Sequence, residues 1–144
     1  MNLRNQIFYL CAVSLTIRNL IFVTLIKMSI HITLKGNQIS TQHAYGQRGK
    51  IRYMKKDAKS LKDSYILQAK MQYKGKPIKT SLSVYIRLFF NSNHVRDWDN
   101  WHKLSMDSLS NIIYDNDSQV KVATIQMMQA DKENPRIELI FDEL

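Results

Sequence analysis

Cysteine is almost absent from this chain of 144 residues, because Cys11 is the only one. A single cysteine excludes an intramolecular disulfide framework and any zinc site built from several cysteines. A reducing, intracellular setting is therefore the default, and we expect a cytoplasmic protein. Apolar residues make up 44% of the chain, which excludes a disordered protein and is enough for one packed domain of ordinary size.

The sequence also lacks an uninterrupted apolar run that would span a membrane. Two apolar runs within residues 1–27 are separated by Arg18. A bilayer span needs about 20 apolar residues, and a central arginine costs about 2.5–3.5 kcal/mol on insertion scales. Arg4 would suit a signal peptide, but no small-residue cleavage site follows. We interpret residues 1–27 as an extension of a domain at 28–144 and expect no membrane partner. An upstream translation start before Met28, a signal peptide and a membrane-tethered form are the alternatives.

Charge is unevenly distributed along the chain, whose net charge is +9. Residues 28–96 contain 14 basic and two acidic residues, whereas residues 97–144 contain four basic and ten acidic residues. A basic region joined to an acidic one is typical of a polyanion-binding surface beside a cation site. The alternative is a solvated basic face with no specific partner.

Hydrophobic periodicity predicts an α+β fold. Apolar residues alternate around 30–34, 80–90, 120–128 and 137–141, which predicts four strands. Helical spacing predicts one helix over 55–73 and a second between two acidic clusters. We expect these two main helices to pack against a mixed or antiparallel sheet. The apolar residues that can share one face of the second helix are Trp101, Leu104, Leu109, Ile112 and Ile113.

Residues 38–50 are a polar stretch predicted to be a loop or a loose hairpin, and basic side chains concentrate from Arg48 onward. Arg48, Lys50 and Arg52 recur at spacing two, so an extended chain would place all three on one side. Such a face can contact a phosphate backbone, and so can the lysines of the helix predicted over 55–73. The alternatives are an edge strand whose charges deter aggregation and a helix whose charges only make it soluble. The residues predicted to contact DNA phosphates are Arg48, Lys50, Arg52, Lys55, Lys56, Lys59 and Arg96.

Two pairs of carboxylates flank the second predicted helix. Asp97 and Asp99 precede it, and Asp115 and Asp117 follow it. One intervening residue places both members of an extended pair on the same side. Their oxygens suit Mg²⁺ or Mn²⁺, and metals held by carboxylates support phosphodiester hydrolysis. The alternative is structural, with Asp99 as a helix N-cap and residues 115–117 as an ordinary turn.

The segment RDWDNWHKLSMDSLSNIIYDNDSQV resembles the signature of the RusA family of Holliday-junction resolvases. That signature combines an Asp-x-Asp-Asn-x-x-Lys run, a helix with an acidic residue before a leucine, and an acidic turn ending Asp-x-Gln-Val. A weaker likeness extends over residues 28–144, although GNQISTQ replaces the proline-rich loop that follows the first strand in the family. The matching residues are Asp97, Asp99, Asn100, Lys103, Asp107, Leu109, Asp117, Gln119 and Val120.

The resemblance implies a RusA-like fold, an intertwined homodimer and paired incisions in four-way DNA junctions during recombination and repair. It implies that Asp97, Asp99 and Asp117 bind Mg²⁺, with Mn²⁺ as a substitute, and that they are catalytic together with Lys103. The competing interpretation is a non-catalytic, structure-selective DNA-binding protein whose acidic turns serve only as caps.

Overall fold

The computed structural model describes residues 29–144. The predictions made for residues 1–27 and for Met28 lie outside this part of the chain. Within it, no helix is both long and apolar enough to cross a membrane. In chain order the strands are β1 (Ile30–Lys35), β2 (Tyr45–Arg48), β3 (Ile51–Met54), β4 (Leu82–Phe89), β5 (Val120–Met127) and β6 (Arg136–Glu143). The helices are α1 (Thr41–Ala44), α2 (Lys56–Gln72) and α3 (Lys103–Leu109), with short 3₁₀ turns at Trp98–Asn100 and Asp117–Gln119.

Four strands form a mixed sheet in the order β1-β6-β4-β5. β6 pairs antiparallel with both β1 and β4, whereas β4 pairs parallel with β5. The parallel pair requires a crossover, and the segment that makes it contains α3 and all four predicted catalytic residues. The predicted α+β architecture with a mixed sheet is therefore confirmed.

Alternating side chains explain which face of the sheet is buried. In β4, Leu82, Val84, Ile86 and Leu88 are buried, and the residues between them are partly exposed. This is the period of two expected when one face of a strand packs on a core. Ile137, Leu139 and Phe141 of β6 are buried in the same way, as predicted from their alternation.

Helix α2 packs beside β1 and also satisfies its outer edge. Ala58, Tyr65 and Ala69 are its buried residues, spaced as one helical face requires. The Gln72 side chain bonds the backbone N–H and C=O of Thr33 at 2.9 and 2.7 Å. Gln68 does the same at Lys35, at 2.7 and 3.0 Å. The outer edge of β1 is thus paired with side-chain amides rather than left open.

The prediction for the basic segment was incomplete. Residues 45–54 form the hairpin β2–β3, with Gly49 and Lys50 as its two-residue loop. Gly49 has φ +60°, as the first position of a type II′ turn requires. Arg48 lies opposite Ile51, and Arg52 is the next residue along β3, so Arg48 and Arg52 project from opposite faces. The expectation that the three basic residues share one side was therefore wrong, because it assumed one extended segment.

The second predicted helix is shorter than expected. α3 ends at Leu109, and Asn111 then takes the left-handed conformation with φ 64°. Ile113 is nevertheless fully buried, because the turn after the helix returns it to the core. The Ile113 carbonyl accepts a hydrogen bond from Ile78 N at 2.8 Å, which ties this turn to the segment before β4.

Candidate active site

Asp97 and Asp99 lie on the exposed segment between β4 and α3. Asp97 precedes the 3₁₀ turn Trp98–Asn100, and Asp99 lies within that turn. Both residues are exposed. Among residues 29–144, neither carboxylate has a hydrogen-bond or ion-pair partner, and Asp97 makes no side-chain cap. Asp99 is not the N-cap of α3, since His102 occupies that position. Their negative charges are thus available to a ligand.

Lys103 is the centre of a small ion-pair cluster at the start of α3. Its Nζ atom lies 2.8 Å from Asp107 Oδ1 and 3.5 Å from Asp117 Oδ2. The hydrogen bond to Asp107, together with the charges of Asp107 and Asp117, raises the pKa of Lys103 above its ordinary value. Lys103 therefore stays cationic at neutral pH, with about half of its side chain still exposed to solvent.

The turn that carries Asp117 is fixed by Gln119. Its Oε1 atom accepts hydrogen bonds from the backbone N–H groups of Asp115 and Asn116 at 2.9 and 2.8 Å. Its Nε2 atom donates to the carbonyls of Ile78 and Thr80 at 2.8 and 3.0 Å. One side chain thereby satisfies four backbone groups and joins the Asp117 turn to the segment that enters β4.

Other contacts define the orientation of the acidic residues around that turn. Asn116 caps the 3₁₀ turn by accepting from Ser118 N at 2.9 Å. The Asp115 carboxylate pairs with Lys79, which turns it toward the segment before β4. Tyr114 is fully buried beneath the turn, and its hydroxyl donates to the Met106 carbonyl at 2.7 Å. Burial, and then the charge of Asp117, raises the pKa of Tyr114 well above its usual range.

A groove of about 170 Å³ extends from this cluster between α3 and strands β4 and β5. Its floor is mainly apolar, and Lys103, Asp117 and His102 lie at its rim. Burial, and then the charge of Lys103, lowers the pKa of His102 from its ordinary value of 6.5. His102 is therefore a neutral imidazole at pH 7. The lining residues are Val84, Ile86, His102, Lys103, Met106, Asp117, Val120 and Ala123.

The three predicted metal ligands are not gathered around one point in a single copy of the chain. Within residues 29–144, no three acidic, histidine or cysteine side chains are grouped so that they could hold a metal ion. The donor chemistry nevertheless suits a hard cation, because exposed carboxylates supply the oxygen ligands that Mg²⁺ prefers. Moreover, Asp107 and Asp117 already share one positive charge, that of Lys103.

The predicted DNA contacts divide into two groups. The side chains of Arg48, Lys50, Arg52, Lys55, Lys56 and Lys59 are all exposed. Arg96 differs, because its guanidinium lies over the Phe90 ring at 4.3 Å and donates to the carbonyls of Ser92 and His94, both at 2.8 Å. Arg96 thus stabilises the loop that leads to Asp97, and a contact with DNA remains a prediction for it.

Some contacts of the site were missed by sequence reasoning, although the sequence carried a signal for two of them. The spacing Lys103–Asp107 is the i,i+4 relationship that favours a pair on a helix surface. The spacing Asn116–Gln119 is that of a capping box, which the structure contains. The burial of Tyr114 and the pairing of Lys79 with Asp115 depend on the tertiary fold and left no such signal.

The family model for endodeoxyribonuclease RusA matches residues 37–140, most of the 144 residues. The chain belongs to the RusA family. No curated protein shows a significant match to it.

Membership of the RusA family makes this protein an endodeoxyribonuclease, a hydrolase of DNA phosphodiester bonds. It also implies nuclease activity toward Holliday junctions, and hence binding of branched DNA. The match covers the hairpin β2–β3, helix α2, the carboxylates and most of β6. The family resemblance inferred from the acidic segment is therefore confirmed.

Proposed function

We propose that this RusA-family protein is a magnesium-dependent resolvase that cuts four-way DNA junctions as a homodimer, in recombination and repair. The observation that supports this best is the pair of exposed carboxylates, Asp97 and Asp99, without partners among residues 29–144, on the segment that leads into α3. Two neighbouring carboxylates that neither cap a helix nor form an ion pair repel each other, and a bound cation relieves that repulsion.

In this proposal Asp97, Asp99 and Asp117 are the metal ligands. Bound Mg²⁺, or Mn²⁺ in its place, would lower the pKa of an attacking water and stabilise charge on the phosphoryl oxygens. Gln119 fixes the turn that carries Asp117. Arg96 stabilises the loop that leads to Asp97 and Asp99. Because the three carboxylates are not grouped around one point within residues 29–144, a shift of one segment toward the other would be needed to bring them together.

Lys103 is proposed to contact the scissile phosphate. Its ammonium group is cationic and partly exposed, and the carboxylates of Asp107 and Asp117 hold it at 2.8 and 3.5 Å. An ammonium group already oriented beside the carboxylates stabilises the charge that develops on a phosphate without reorganising during the reaction.

The exposed basic residues are proposed to hold the arms of the junction. No acidic residue lies between residues 38 and 56, whereas this stretch contains Arg48, Lys50, Arg52, Lys55 and Lys56. Phosphate neutralisation releases counterions, so we expect junction affinity to fall steeply as salt concentration rises.

The free edge of the sheet is proposed to form the dimer interface. β5 is an edge strand, paired only with β4 among the described residues. Val122 is 51% exposed and Met127 37% exposed on opposite faces of this strand. The other edge strand is protected by Gln68 and Gln72, so β5 is the open edge, and open apolar edges invite pairing with another chain. The groove beside β5 reaches Lys103 and Asp117, which would place a second copy next to the carboxylates.

A junction-cleavage assay tests the proposal. The wild-type protein should nick a synthetic four-way junction symmetrically with Mg²⁺ and not with a chelator, and a linear duplex of the same sequence should stay intact. Asp99→Asn removes the charge of one proposed ligand while keeping its shape, so it should bind the junction normally and lose cleavage. Asp63→Asn, an exposed acidic residue on α2, is the matched control and should cut at the wild-type rate.

Membership of the RusA family argues against the non-catalytic DNA-binding protein considered from the sequence, and the same assay tests that alternative directly. That protein would bind the junction with and without Mg²⁺ and leave every strand intact. Normal cleavage by Asp99→Asn would instead show that the catalytic assignment is wrong while the nuclease activity stands.

A further inference from the structure

The hairpin β2–β3 carries exposed apolar side chains that no other part of residues 29–144 covers. Ile51 is 70% exposed and Tyr53 is 49% exposed. They alternate along β3, so they project from the same face, and Arg48 joins them because it lies directly opposite Ile51. Within residues 29–144 the hairpin is a separate two-stranded sheet, so this face is not covered by the main sheet.

The position of Tyr53 on this face is built into the hairpin. Gly46 lies opposite Tyr53 across the strands, and a Cβ atom at Gly46 would come within 2.6 Å of the tyrosine ring. The ring therefore lies over the backbone of Gly46 with about half of its surface exposed, and a side chain at position 46 would displace it.

The charges around this face point to a polyanion. Lys50 lies at the tip of the hairpin, and Arg48 flanks Ile51 on the same face. On the opposite face, the Arg52 guanidinium lies 4.3 Å from the centre of the Tyr45 ring. A hydrophobic surface flanked by cations, with no acidic residue between residues 38 and 56, suits DNA better than a second copy of this basic segment, because like charges would repel.

The base of the hairpin is connected to the candidate active site. Helix α1 leads directly into β2, and its Thr41 hydroxyl donates to the carbonyl of Asn100 at 3.1 Å. Asn100 follows Asp99 in the same 3₁₀ turn. DNA held by the hairpin would therefore lie close to the carboxylates proposed to cut it.

We propose that Ile51 and Tyr53 pack against bases exposed at the branch point of a junction, while Arg48 and Lys50 hold the phosphates around it. This inference rests on the proposed action on branched DNA. A paired duplex buries the faces of its bases, whereas a branch point exposes them, so side chains that stack on bases favour the junction. Inserted apolar residues unstack base steps in this way, and aromatic stacking is sequence-tolerant.

The test measures affinity without cleavage, in the presence of a chelator, for a four-way junction and for a linear duplex. The double variant Ile51→Ala/Tyr53→Ala should lose at least about fivefold in affinity for the junction, with duplex affinity changed less than twofold. Arg48→Ala should weaken binding of both DNAs, because phosphates are common to them. Leu67→Ala, which truncates a side chain of similar exposure (62%) on α2, is the matched control and should change neither.

Two further measurements keep the result interpretable. Tyr53→Phe retains the ring and should bind like the wild type, which separates loss of stacking from loss of the hairpin. The fluorescence of a 2-aminopurine base at the branch point should change when the wild-type protein binds and should change much less with the double variant, because this fluorescence depends on what packs against the base.

Three outcomes would overturn the inference. In the first, the double variant binds the junction within twofold of the wild type. In the second, the double variant binds weakly and sediments with the mass of a monomer while the wild type sediments as a dimer, which would make this face a subunit contact. In the third, the wild type shows no preference for the junction over duplex, and then the proposed function fails with it.

Discussion

Lys103 and Asp107 form an ion pair one turn apart on α3, with 2.8 Å between Nζ and Oδ1. The pair orients the lysine toward Asp117, whose nearest oxygen lies 3.5 Å from the same Nζ atom. In the proposed mechanism Asp107 therefore positions Lys103, whose ammonium group contacts the scissile phosphate. Asp107 is partly buried while Lys103 is about half exposed, so the aspartate is the fixed partner of the pair.

We expect Asp107→Asn to lower the rate of junction cleavage by about 10- to 100-fold, because one charge-assisted hydrogen bond that positions Lys103 is lost. Junction affinity should change less than twofold, since the net charge facing DNA becomes slightly more positive. Single-turnover cleavage and binding without metal measure the two quantities. Asp63→Asn on α2 is the control, and cleavage at the wild-type rate by Asp107→Asn would contradict the positioning role.

The main sheet was predictable from sequence because its strands have one buried and one exposed face. Leu82 to Leu88 in β4 and Ile137 to Phe141 in β6 alternate strictly, and this alternation is what packing on one face requires. The hairpin was harder, because a small sheet outside the core has no buried face to impose a pattern. Its apolar residues Ile51 and Tyr53 are exposed, so hydrophobicity along that segment carries little information about its fold.

The candidate site was predictable in its residues but not in its arrangement. The acidic segment matched the family signature, and the family is confirmed. Which carboxylate meets which cation depends on the fold: Asp115 pairs with Lys79, 36 residues earlier in the chain, whereas Asp117 faces Lys103. Asp115 and Asp117 have the same spacing as Asp97 and Asp99, and spacing alone does not distinguish paired carboxylates from unpartnered ones.

Gln119 provides a second prediction, which concerns stability. Gln119→Ala leaves two N–H groups and two carbonyls without their present partner, so we expect the free energy of unfolding to fall by about 1–3 kcal/mol. Cleavage should fall as well, because Asp117 loses its fixed position. Chemical denaturation followed by circular dichroism measures the first effect. Gln129→Ala, at an exposed glutamine, is the control and should leave stability and cleavage unchanged. If Gln119→Ala also leaves them unchanged, Gln119 does not fix the turn that carries Asp117.

His102 predicts how stability depends on pH. Burial and Lys103 lower its pKa in the folded protein below 6.5, so the unfolded chain binds a proton more readily than the folded one. The stabilising contribution is therefore complete above pH 6.5 and is lost as the pH falls from there through the folded pKa. His102→Gln should flatten the decline in unfolding free energy over that acidic window. His94→Gln, at an exposed histidine, should not.

The open edge at β5 gives the last prediction, which concerns assembly. Val122→Asp places a charge on the exposed edge strand, and burying an unpaired carboxylate at a subunit interface is strongly unfavourable. Sedimentation of the wild type should give the mass of a dimer, and Val122→Asp should shift it to that of a monomer without unfolding the sheet, because the side chain is already 51% exposed in one copy. Leu67→Asp makes the same change on the exposed side of α2 and should leave the dimer intact. If Leu67→Asp dissociates the dimer and Val122→Asp does not, the interface lies on α2, and the groove beside Lys103 and Asp117 faces solvent or DNA instead of a second subunit.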